Sequence, residues 1–458
     1  MTSSITKTIP YDRYYIVFII LLLHGIGTLL PWNMLINANS YFVDYKLSVP
    51  KSSPTLDNFR TNFLSYLGIA SKAPNILLQL INLFANTSHG SLSTRITVTL
   101  VIQALVFVFT IILAIIDTTE WAEIFFWLTM ASAVVINVAN GVYQGCVYGA
   151  AAKLPMKYTN AVSIGMNLSG TIASLFMIGS IAVSPSARVA AIIFFSCAVF
   201  ILILCVISEV FIKNNTFYIY HTEKKIESEI FDNNAKDQTS DGLILVDDNQ
   251  IEANNYINNS NKTNNKNNSN NNIKDTDDLK GLALYKHVLF KIWLQLLNII
   301  LIYYVSLSLF PALIADIKSM NNTLNEKYFS PVFCFLAFNM FATVGNFIAQ
   351  RFQRPGPNYV IIFTLLRLLY IPFFLYCNYQ PTNVNRSLPV VIKNDWIFIV
   401  GVVTMAMSSG YLSSLCMMYA PRCVQPGYAS IAGMMAALTI ILGILLGINF
   451  SLVYPLIV

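Results

Sequence analysis

Long apolar runs alternate with short polar connections along this chain. Runs of about 20 apolar residues, the length at which a helix crosses the hydrocarbon core of a bilayer, recur about eleven times. The pattern predicts an all-α polytopic membrane protein with six spans before a long polar interruption and five after it. The predicted spans are 14–36, 62–84, 96–116, 122–150, 159–184, 187–212, 288–315, 329–350, 358–378, 395–419 and 427–456.

The interruption divides the chain into domains. Its Asn-rich tract, NNSNKTNNKNNSNNN at 258–272, cannot bury enough apolar surface to fold alone. We therefore expect a cytosolic N-terminal tail at 1–13, a six-helix bundle at 14–212, a disordered cytosolic linker at 213–286 and a five-helix bundle at 287–458. The linker is either a plain connection or a docking site for a cytosolic partner. Two bundles around a linker favour rocking of one half against the other.

The basic residues of the connections predict the orientation. Positions 1–10 lack the features of a cleaved secretory signal, so the first span is expected to direct insertion with a cytosolic N-terminus. An odd number of spans then places the C-terminus outside the cell. Most basic residues of short connections fall on the cytosolic side, although the first outer loop carries Lys46, Lys51 and Arg60. Asn321 and Asn385 are the outer N-x-S/T sequons and are candidates for glycosylation. The plasma membrane is the expected location, with an internal membrane as the alternative.

Composition narrows the function. Hydrophobic residues make up 55% of the chain and charged residues 11%, and the net charge of +6 reflects the loop asymmetry, so nucleic acid is not an expected partner. The seven cysteines show no CxxC spacing, which argues against a disulfide framework or a metal site. No cofactor is expected. Paired Ser and His residues in spans and HExxH motifs are missing, which disfavours an enzyme.

The first span is broken in a way that indicates a site. It contains Gly25, Gly27 and Pro31, followed by Trp32 and Asn33. A proline in a membrane helix frees a carbonyl, and such a defect persists where protein or a water-lined cavity satisfies that group. The segment is therefore more than a membrane anchor.

Four spans carry polar residues at steps of three and four, which places them on one face of each helix. Such stripes either join helices to one another or line an aqueous path, and their presence in both halves favours the path. Amides both donate and accept hydrogen bonds, which suits a neutral polar solute. The stripes are Ser65, Gly68, Lys72, Asn75 and Gln79; Asn137, Asn140, Gln144 and Tyr148; Ser163, Asn167, Gly170 and Ser174; and Asn339, Thr343, Asn346 and Gln350.

Few ionisable residues lie within the predicted spans. Lys72 needs either a partner such as Asp316, at a span end, or hydration or a substrate-facing position. His24 is expected to pack between helices, bonded to a carbonyl, with a proton-linked role as the alternative. Arg367 and Lys291 are expected to snorkel or pair near an interface. No carboxylate is expected deep in a span, so passive exchange is the simplest mechanism.

Several motifs together resemble one family. PWNMLINANSYF at 31–42 is similar to the PWN signature of the equilibrative nucleoside transporters. Similar matches follow in order: YQGCVYGAAAKLP at 143–155, SLFPALIADIKS at 308–319, LRLLYIPFFLYCN at 366–378 and GYLSSLCMMYAPRCVQP at 410–426. The resemblance covers both halves and leaves out only the linker.

The resemblance implies an eleven-helix fold of major-facilitator type and facilitated diffusion of nucleosides or nucleobases by alternating access. It implies that Trp32 packs against the substrate and that Gln144 hydrogen-bonds its base. The positions that match the substrate cavity of such transporters are Leu29, Trp32, Ile36, Lys72, Asn75, Gln144, Phe335, Asn339, Ala342 and Asn346.

The chain departs from the family at informative positions. Family members carry an Asp and an Arg in the eighth span that hold the ribose hydroxyls, where this chain has Ala342 and Asn346. Lys72 replaces a common Gln or Met, and Ser409 replaces a usual Asn. Loss of the carboxylate costs about 1.5–3 kcal/mol per charge-assisted hydrogen bond. A carrier of a different polar or anionic metabolite, a proton-coupled carrier and a non-transporting receptor or scaffold remain the alternatives.

Overall fold

The computed structural model describes residues 10–49, 54–85, 91–183, 186–222, 281–321, 323–381 and 386–458. Apart from an isolated bridge between Ile317 and Tyr379, the regular structure of these residues is helical. The core of the predicted linker and the sequon asparagine Asn385 lie outside the described residues.

Six long helices form the N-terminal half. They are α1 (Ile16–Asn37), α2 (Phe63–Ala85), α3 (Leu92–Ile115), α4 (Ala122–Ala151), α5 (Met156–Val183) and α6 (Ala187–Lys213). The carboxylate of Asp12 accepts the backbone N–H groups of Val17 and Phe18 at 3.1 and 3.2 Å, which caps the start of α1. Helix α1 continues through Pro31 to Asn37, and a separate π-helical turn follows at Tyr41–Lys46.

The C-terminal half contains α7 (Leu282–Leu309), α8, α9, α10 (Asp395–Tyr419) and α11 (Ala429–Ser451). Helix α8 is composite, with Glu326–Phe329, a π-helical segment Ser330–Leu336 and Ala337–Arg351. Helix α9 is also composite, with Val360–Leu366, a 3-10 turn Arg367–Leu369 and Tyr370–Leu375.

These helices confirm the all-α polytopic prediction. Among the described residues, ten segments are long and apolar enough to cross a membrane, and the shorter apolar α9, Val360–Leu375, is the eleventh. Some predicted limits are wrong. Helix α7 begins inside the predicted linker because Leu284, Tyr285 and Val288 are buried against the core. It ends before the predicted limit because Phe310, which precedes a proline, is extended. Residues 216–222 of the predicted linker are also helical.

Glycines allow the closest helix crossings within each half. A Cβ atom at Gly25 or Gly165 would collide with the backbone of the partner helix, so α1 and α5 cross in direct contact. In the C-terminal half, a Cβ atom at Gly345 would meet the carbonyl of Met407, which brings α8 against α10. Because glycine has only a hydrogen atom as its side chain, the helices approach closely at these points and each half packs as a unit.

Several contacts join the two halves at one end of the molecule. We call it the linker end, because α6 ends there at Lys213 and α7 begins there at Leu282. At this end Tyr285 Oη donates to the carbonyl of Leu83 at 2.9 Å, and Arg422 donates to the carbonyl of Leu154. A Cβ atom at Gly433 of α11 would lie 2.7 Å from the carbonyl oxygen of Tyr148 on α4. At the opposite end, Lys327 Nζ donates a hydrogen bond to the carbonyl of Ile181 at 3.2 Å, which joins the two halves there. The structure is therefore closed at the linker end.

Candidate functional site

Trp32 and Lys72 meet between the first and second helices. The ammonium nitrogen of Lys72 lies 4.5 Å from the centre of the Trp32 ring, within the range of a cation–π contact. Both side chains are half-buried, as are Leu29 and Ile36 on the same face of α1. This face of α1 is therefore only partly covered by protein.

Lys72 forms no ion pair among the described residues. Asp316, the partner considered from the sequence, lies instead near Lys318 and Cys334 in the C-terminal half. Among the described residues, the electrostatic contact of Lys72 is with the aromatic face of Trp32. Because an ammonium group has three donors and a ring face satisfies none of them fully, Lys72 keeps donor capacity for water or a ligand.

Buried amides line the contact between α2 and α4. Asn75, Gln79, Asn140 and Gln144 are all buried there. Among the described residues, the side-chain oxygens of Asn75 and Asn140 and both amide atoms of Gln79 have no hydrogen-bond partner. A buried polar atom without a partner costs about 1–3 kcal/mol. These amides therefore retain hydrogen-bonding capacity for water or a polar ligand.

Gln144 is also weakly engaged. Its amide nitrogen lies 4.0 Å from the Met166 sulfur, a soft and distant acceptor. Gly141, one turn before it, packs on the backbone of Asn75, and this close approach of α2 and α4 brings Asn75 and Gln144 to the same seam. The structure thus brings together Trp32 with Lys72, and Asn75 with Gln144.

The predicted residues of α8 lie at the contact with α5. Asn339 Nδ2 donates to the carbonyl of Phe335 at 2.9 Å, and its side chain packs on Gly170 of α5. Phe335 is half-buried and packs edge-on against Phe310, with ring centres 5.5 Å apart. Ala342 is buried against Gly410. In this conformation these side chains pack between helices.

Asn346 joins the halves directly. It is fully buried (0% exposed) and its Nδ2 donates to the carbonyl of Ser163 at 2.9 Å. In return, Asn160 Nδ2 donates to the Asn346 carbonyl at 2.9 Å. This α5–α8 latch, formed by Asn160, Ser163 and Asn346, lies toward the linker end. A polar face of α8 therefore serves as contact between the halves in the closed state.

Two expectations about charged residues are wrong. Arg367 does not snorkel: it is 2% exposed and donates to the carbonyl of Met405 at 2.9 Å and to Ser306 Oγ at 2.7 Å. The break of α9 at this residue turns the guanidinium inward, where carbonyl and hydroxyl oxygens accept from its two terminal nitrogens and Nε has no partner among the described residues. A carboxylate is also buried in a span, because Glu209 of α6 pairs with His24. The sequence did hold a signal for this buried carboxylate, because Glu209 lies within the strongly apolar run of the sixth predicted span.

Comparisons with known proteins agree with this architecture. A family model described as nucleoside transporter matches residues 130–456. Human equilibrative nucleoside transporter 1 is 30% identical over 98% of this chain and 99% of that protein. Mouse equilibrative nucleoside transporter 2 is 28% identical over 97% of this chain and 98% of that protein.

A solved structure shows the same fold. The major facilitator superfamily proton:xylose symporter XylE aligns with a TM-score of 0.55 at 10% identity, over 98% of this chain and 90% of that one. At this identity the likeness concerns the fold alone. It confirms the prediction of a major-facilitator-like arrangement.

Proposed function

Because this chain belongs to the equilibrative nucleoside transporter family, we propose that it carries nucleosides or nucleobases across a membrane by facilitated diffusion. The observation that supports this most directly is the Trp32–Lys72 contact beside the unsatisfied amides of α2 and α4. A base offers an aromatic face for Trp32, and its edges both donate and accept hydrogen bonds for the amides.

We assign the base to the α1, α2 and α4 side of the site. The ring face of Trp32 stacks on the base, with Leu29 and Ile36 completing the apolar wall. Gln144 and Asn75 hydrogen-bond the base edge, since their amides have capacity to spare. Lys72 then donates to an exocyclic carbonyl oxygen of the base or to another acceptor on the substrate.

The α8 side would contact the sugar. Asn339 and Asn346 stand near the ribose in this proposal, but without a carboxylate the hydroxyls lose charge-assisted hydrogen bonds of about 1.5–3 kcal/mol each. Recognition therefore shifts from the sugar toward the base. Nucleobases should compete with nucleosides more effectively than they would at a site with a ribose-binding carboxylate.

Alternating access would use the contacts between the halves. In the closed state, the α5–α8 latch and the α4–α11 contact seal the linker end. Rocking of α1–α6 against α7–α11 would break these contacts and close the opposite end. Asn346 would then exchange its partner on α5 for water or substrate.

One of the two alternative functions has specific support. The uncompensated charge of Lys72 favours a polar metabolite with an anionic group, which makes a carrier of such a solute the second candidate. A non-transporting receptor or scaffold, with a partner at the 213–286 linker, is the third. The unsatisfied buried amides argue against it, since a protein without a substrate path gains nothing from their cost.

The chain is a multi-pass membrane protein, and we extend the proposal to the membrane it occupies and to its orientation. We place it in the plasma membrane with the N-terminus and the linker end in the cytosol and the C-terminus outside. Asn321 is exposed at the end opposite the linker end, and it is the one of the two candidate glycosylation sites that the structure describes. A peptide glycosidase that lowers the apparent mass of the wild type but not of Asn321→Gln would support this assignment.

Uptake of labelled adenosine, uridine and hypoxanthine tests the function in transporter-deficient cells at two external pH values. We expect saturable flux that Trp32→Ala abolishes. Trp293→Ala is the matched control, since Trp293 is exposed on the outer face of α7 and its loss should leave flux unchanged. Surface-expressed protein with no saturable flux of any of the three would reject the proposal.

A further inference from the structure

An apolar groove on the surface of the helical bundle crosses the joint between the two halves. Its walls come from Leu83 of α2 in the N-terminal half and from residues 289–300 of α7 and 435–442 of α11 in the C-terminal half. They are formed by apolar side chains and Thr439, whose hydroxyl donates to a carbonyl of its own helix. The groove has a volume of about 380 Å³. We propose that it binds an acyl chain of an anionic phospholipid whose phosphate pairs with Lys286.

The groove has the length of one leaflet. Its wall on α7 extends from Leu289 to Ile300, which is about 16 Å at a rise of 1.5 Å per residue. Half of the hydrocarbon core of a bilayer is about 15 Å thick. Leu83 lies in the last turn of α2, so the groove starts near the linker end and finishes near the membrane centre. Leu289 and Leu297 are exposed on this surface, which in a membrane span faces lipid.

Lys286 supplies a positive charge where the headgroup would lie. It is exposed and precedes Leu289 by three residues, so it lies on the groove face of α7, one turn nearer the linker end. Its ammonium nitrogen lies 6.0 Å from the centre of the Phe290 ring. Among the described residues, Lys286 forms no ion pair. A lysine at this depth keeps its charge at the membrane surface and covers apolar surface with its stem.

This charge selects an anionic lipid over a neutral one. A phosphodiester flanked by a choline carries no net charge, whereas a phosphatidylglycerol headgroup carries one negative charge. Anionic lipids concentrate in the cytoplasmic leaflet, and the proposed orientation places the linker end there. The length of the groove, its apolar walls and the position of Lys286 thus agree on one occupant.

The bound chain would connect the two halves. Tyr285, next to Lys286, donates through Oη to the carbonyl of Leu83 at 2.9 Å, and its ring centre lies 4.9 Å from that of Phe84. Rocking apart at the linker end would carry Leu83 away from α7 and remove one wall of the groove. A ligand that binds one state better stabilises that state, so the lipid should favour the closed linker end.

Purified protein is the material for the test, because lipid is then limiting. A cell membrane offers anionic lipid in excess, which keeps the groove filled even when one wall side chain, such as that of Trp293, is truncated. In detergent the lipid supply is set by the experimenter. No transported solute is needed, so the result does not depend on the proposed function.

Native mass spectrometry of the full-length protein, with equal amounts of dioleoyl phosphatidylglycerol and dioleoyl phosphatidylcholine added, measures headgroup preference. We expect the wild type to retain phosphatidylglycerol preferentially. Lys286→Gln should lower this preference about fivefold, the contribution of one lysine at an anionic membrane surface. Lys291→Gln should keep it, because Lys291 is also exposed but lies on the opposite face of α7. Equal losses in the two variants would overturn the assignment of Lys286.

A second pair of variants tests the groove. Leu297 is 38% exposed, so the larger side chain of Leu297→Trp has room to extend into the groove and should lower retention of both lipids several-fold. Leu105→Trp is the matched control. Leu105 is 64% exposed and lines a second apolar groove of about 290 Å³, between α3 and α4 within one half. Unchanged retention in Leu297→Trp would overturn the proposal.

Other occupants would give other results in the same spectra. Displacement of phosphatidylglycerol by millimolar inorganic phosphate would indicate a site for free anions. A dimer mass that Leu297→Trp removes would assign the groove to a second copy of the chain. Either result would overturn the lipid assignment.

Thermal unfolding measures the stabilisation directly. Phosphatidylglycerol should raise the midpoint of the wild type more than phosphatidylcholine does, and Lys286→Gln should abolish this difference while Lys291→Gln keeps it. Equal shifts by the two lipids in the wild type would contradict a site that recognises an anionic headgroup.

Discussion

A wedge at Gly433 should open the linker end without unfolding the protein. A Cβ atom at this position would lie 2.7 Å from both the Cβ of Ala152 and the carbonyl oxygen of Tyr148. In Gly433→Val, that carbon and its two methyl groups need room. Because Gly433 and its neighbours belong to different halves, rocking apart relieves the collision while each half stays intact.

The size of the shift follows from the cost of overpacking. Extra methyl groups in a packed contact cost about 1–3 kcal/mol. If the strain exists only in the closed state, the equilibrium moves toward the linker-open state by the same free energy, about 5- to 150-fold. Equilibrium exchange of substrate should fall accordingly, since the closed state becomes rare.

A reporter in the same contact measures the opening. Ser430 is buried one turn before Gly433, and its hydroxyl would be 3.1 Å from a Cβ atom at Gly149 of α4. In a background without the seven native cysteines, Ser430→Cys should react with a maleimide faster in Gly433→Val by that factor. Gly179→Val is the matched control, because no described atom lies within 4 Å of a Cβ atom there. A well-folded Gly433→Val protein with an unchanged labelling rate would refute the reasoning.

Three further outcomes are expected. Gly165→Val, which wedges α1 from α5 inside one half, should abolish monodisperse protein in size-exclusion chromatography, and a normal elution profile would contradict this. Lys72→Gln removes a cation from beside Trp32, so organic cations should inhibit uridine uptake about tenfold more strongly in this variant than in the wild type. Exposed Lys291→Gln is the control, and equal inhibition of Lys72→Gln and wild type would contradict the prediction. The Asp395 carboxylate accepts hydrogen bonds from Ser319 Oγ at 2.5 Å and Thr323 Oγ1 at 2.8 Å. Asp395→Ala removes this acceptor and should lower the free energy of unfolding by about 2–4 kcal/mol, measured by thermal unfolding. Asp117→Asn, at an exposed position, should not show this loss.

Apolar run length determined the spans well, because the cost of burying backbone polar groups in lipid forces helices of nearly fixed length. The errors fall where local chemistry acts. Phe310 ends α7 because the following proline disfavours a helical conformation at this residue. Arg367 interrupts α9 with a 3-10 turn, and the predicted ninth span is realised as three short pieces.

Helical periodicity also identified the polar stripes, but their roles depend on which helices meet. The stripe of α2 faces α4 and leaves amide atoms without partners among the described residues. Asn346, in the stripe of α8, donates through Nδ2 to the Ser163 carbonyl of α5, and its Oδ1 is the atom left without a partner. A period of three to four residues places side chains on a common face of one helix and carries no information about the partner of that face. The meeting of Lys72 with Trp32 likewise required the crossing of two helices.

Local hydropathy and motif order were thus enough to predict about eleven spans and the family from the chain alone. The pairing of Glu209 with His24 became visible only when α1 and α6 were packed together, because the two residues are far apart along the chain. A glutamate in an apolar helix end is ambiguous until its neighbours are known. Burial made the pair mutually necessary, because neither group is stable in a low-dielectric core without the other.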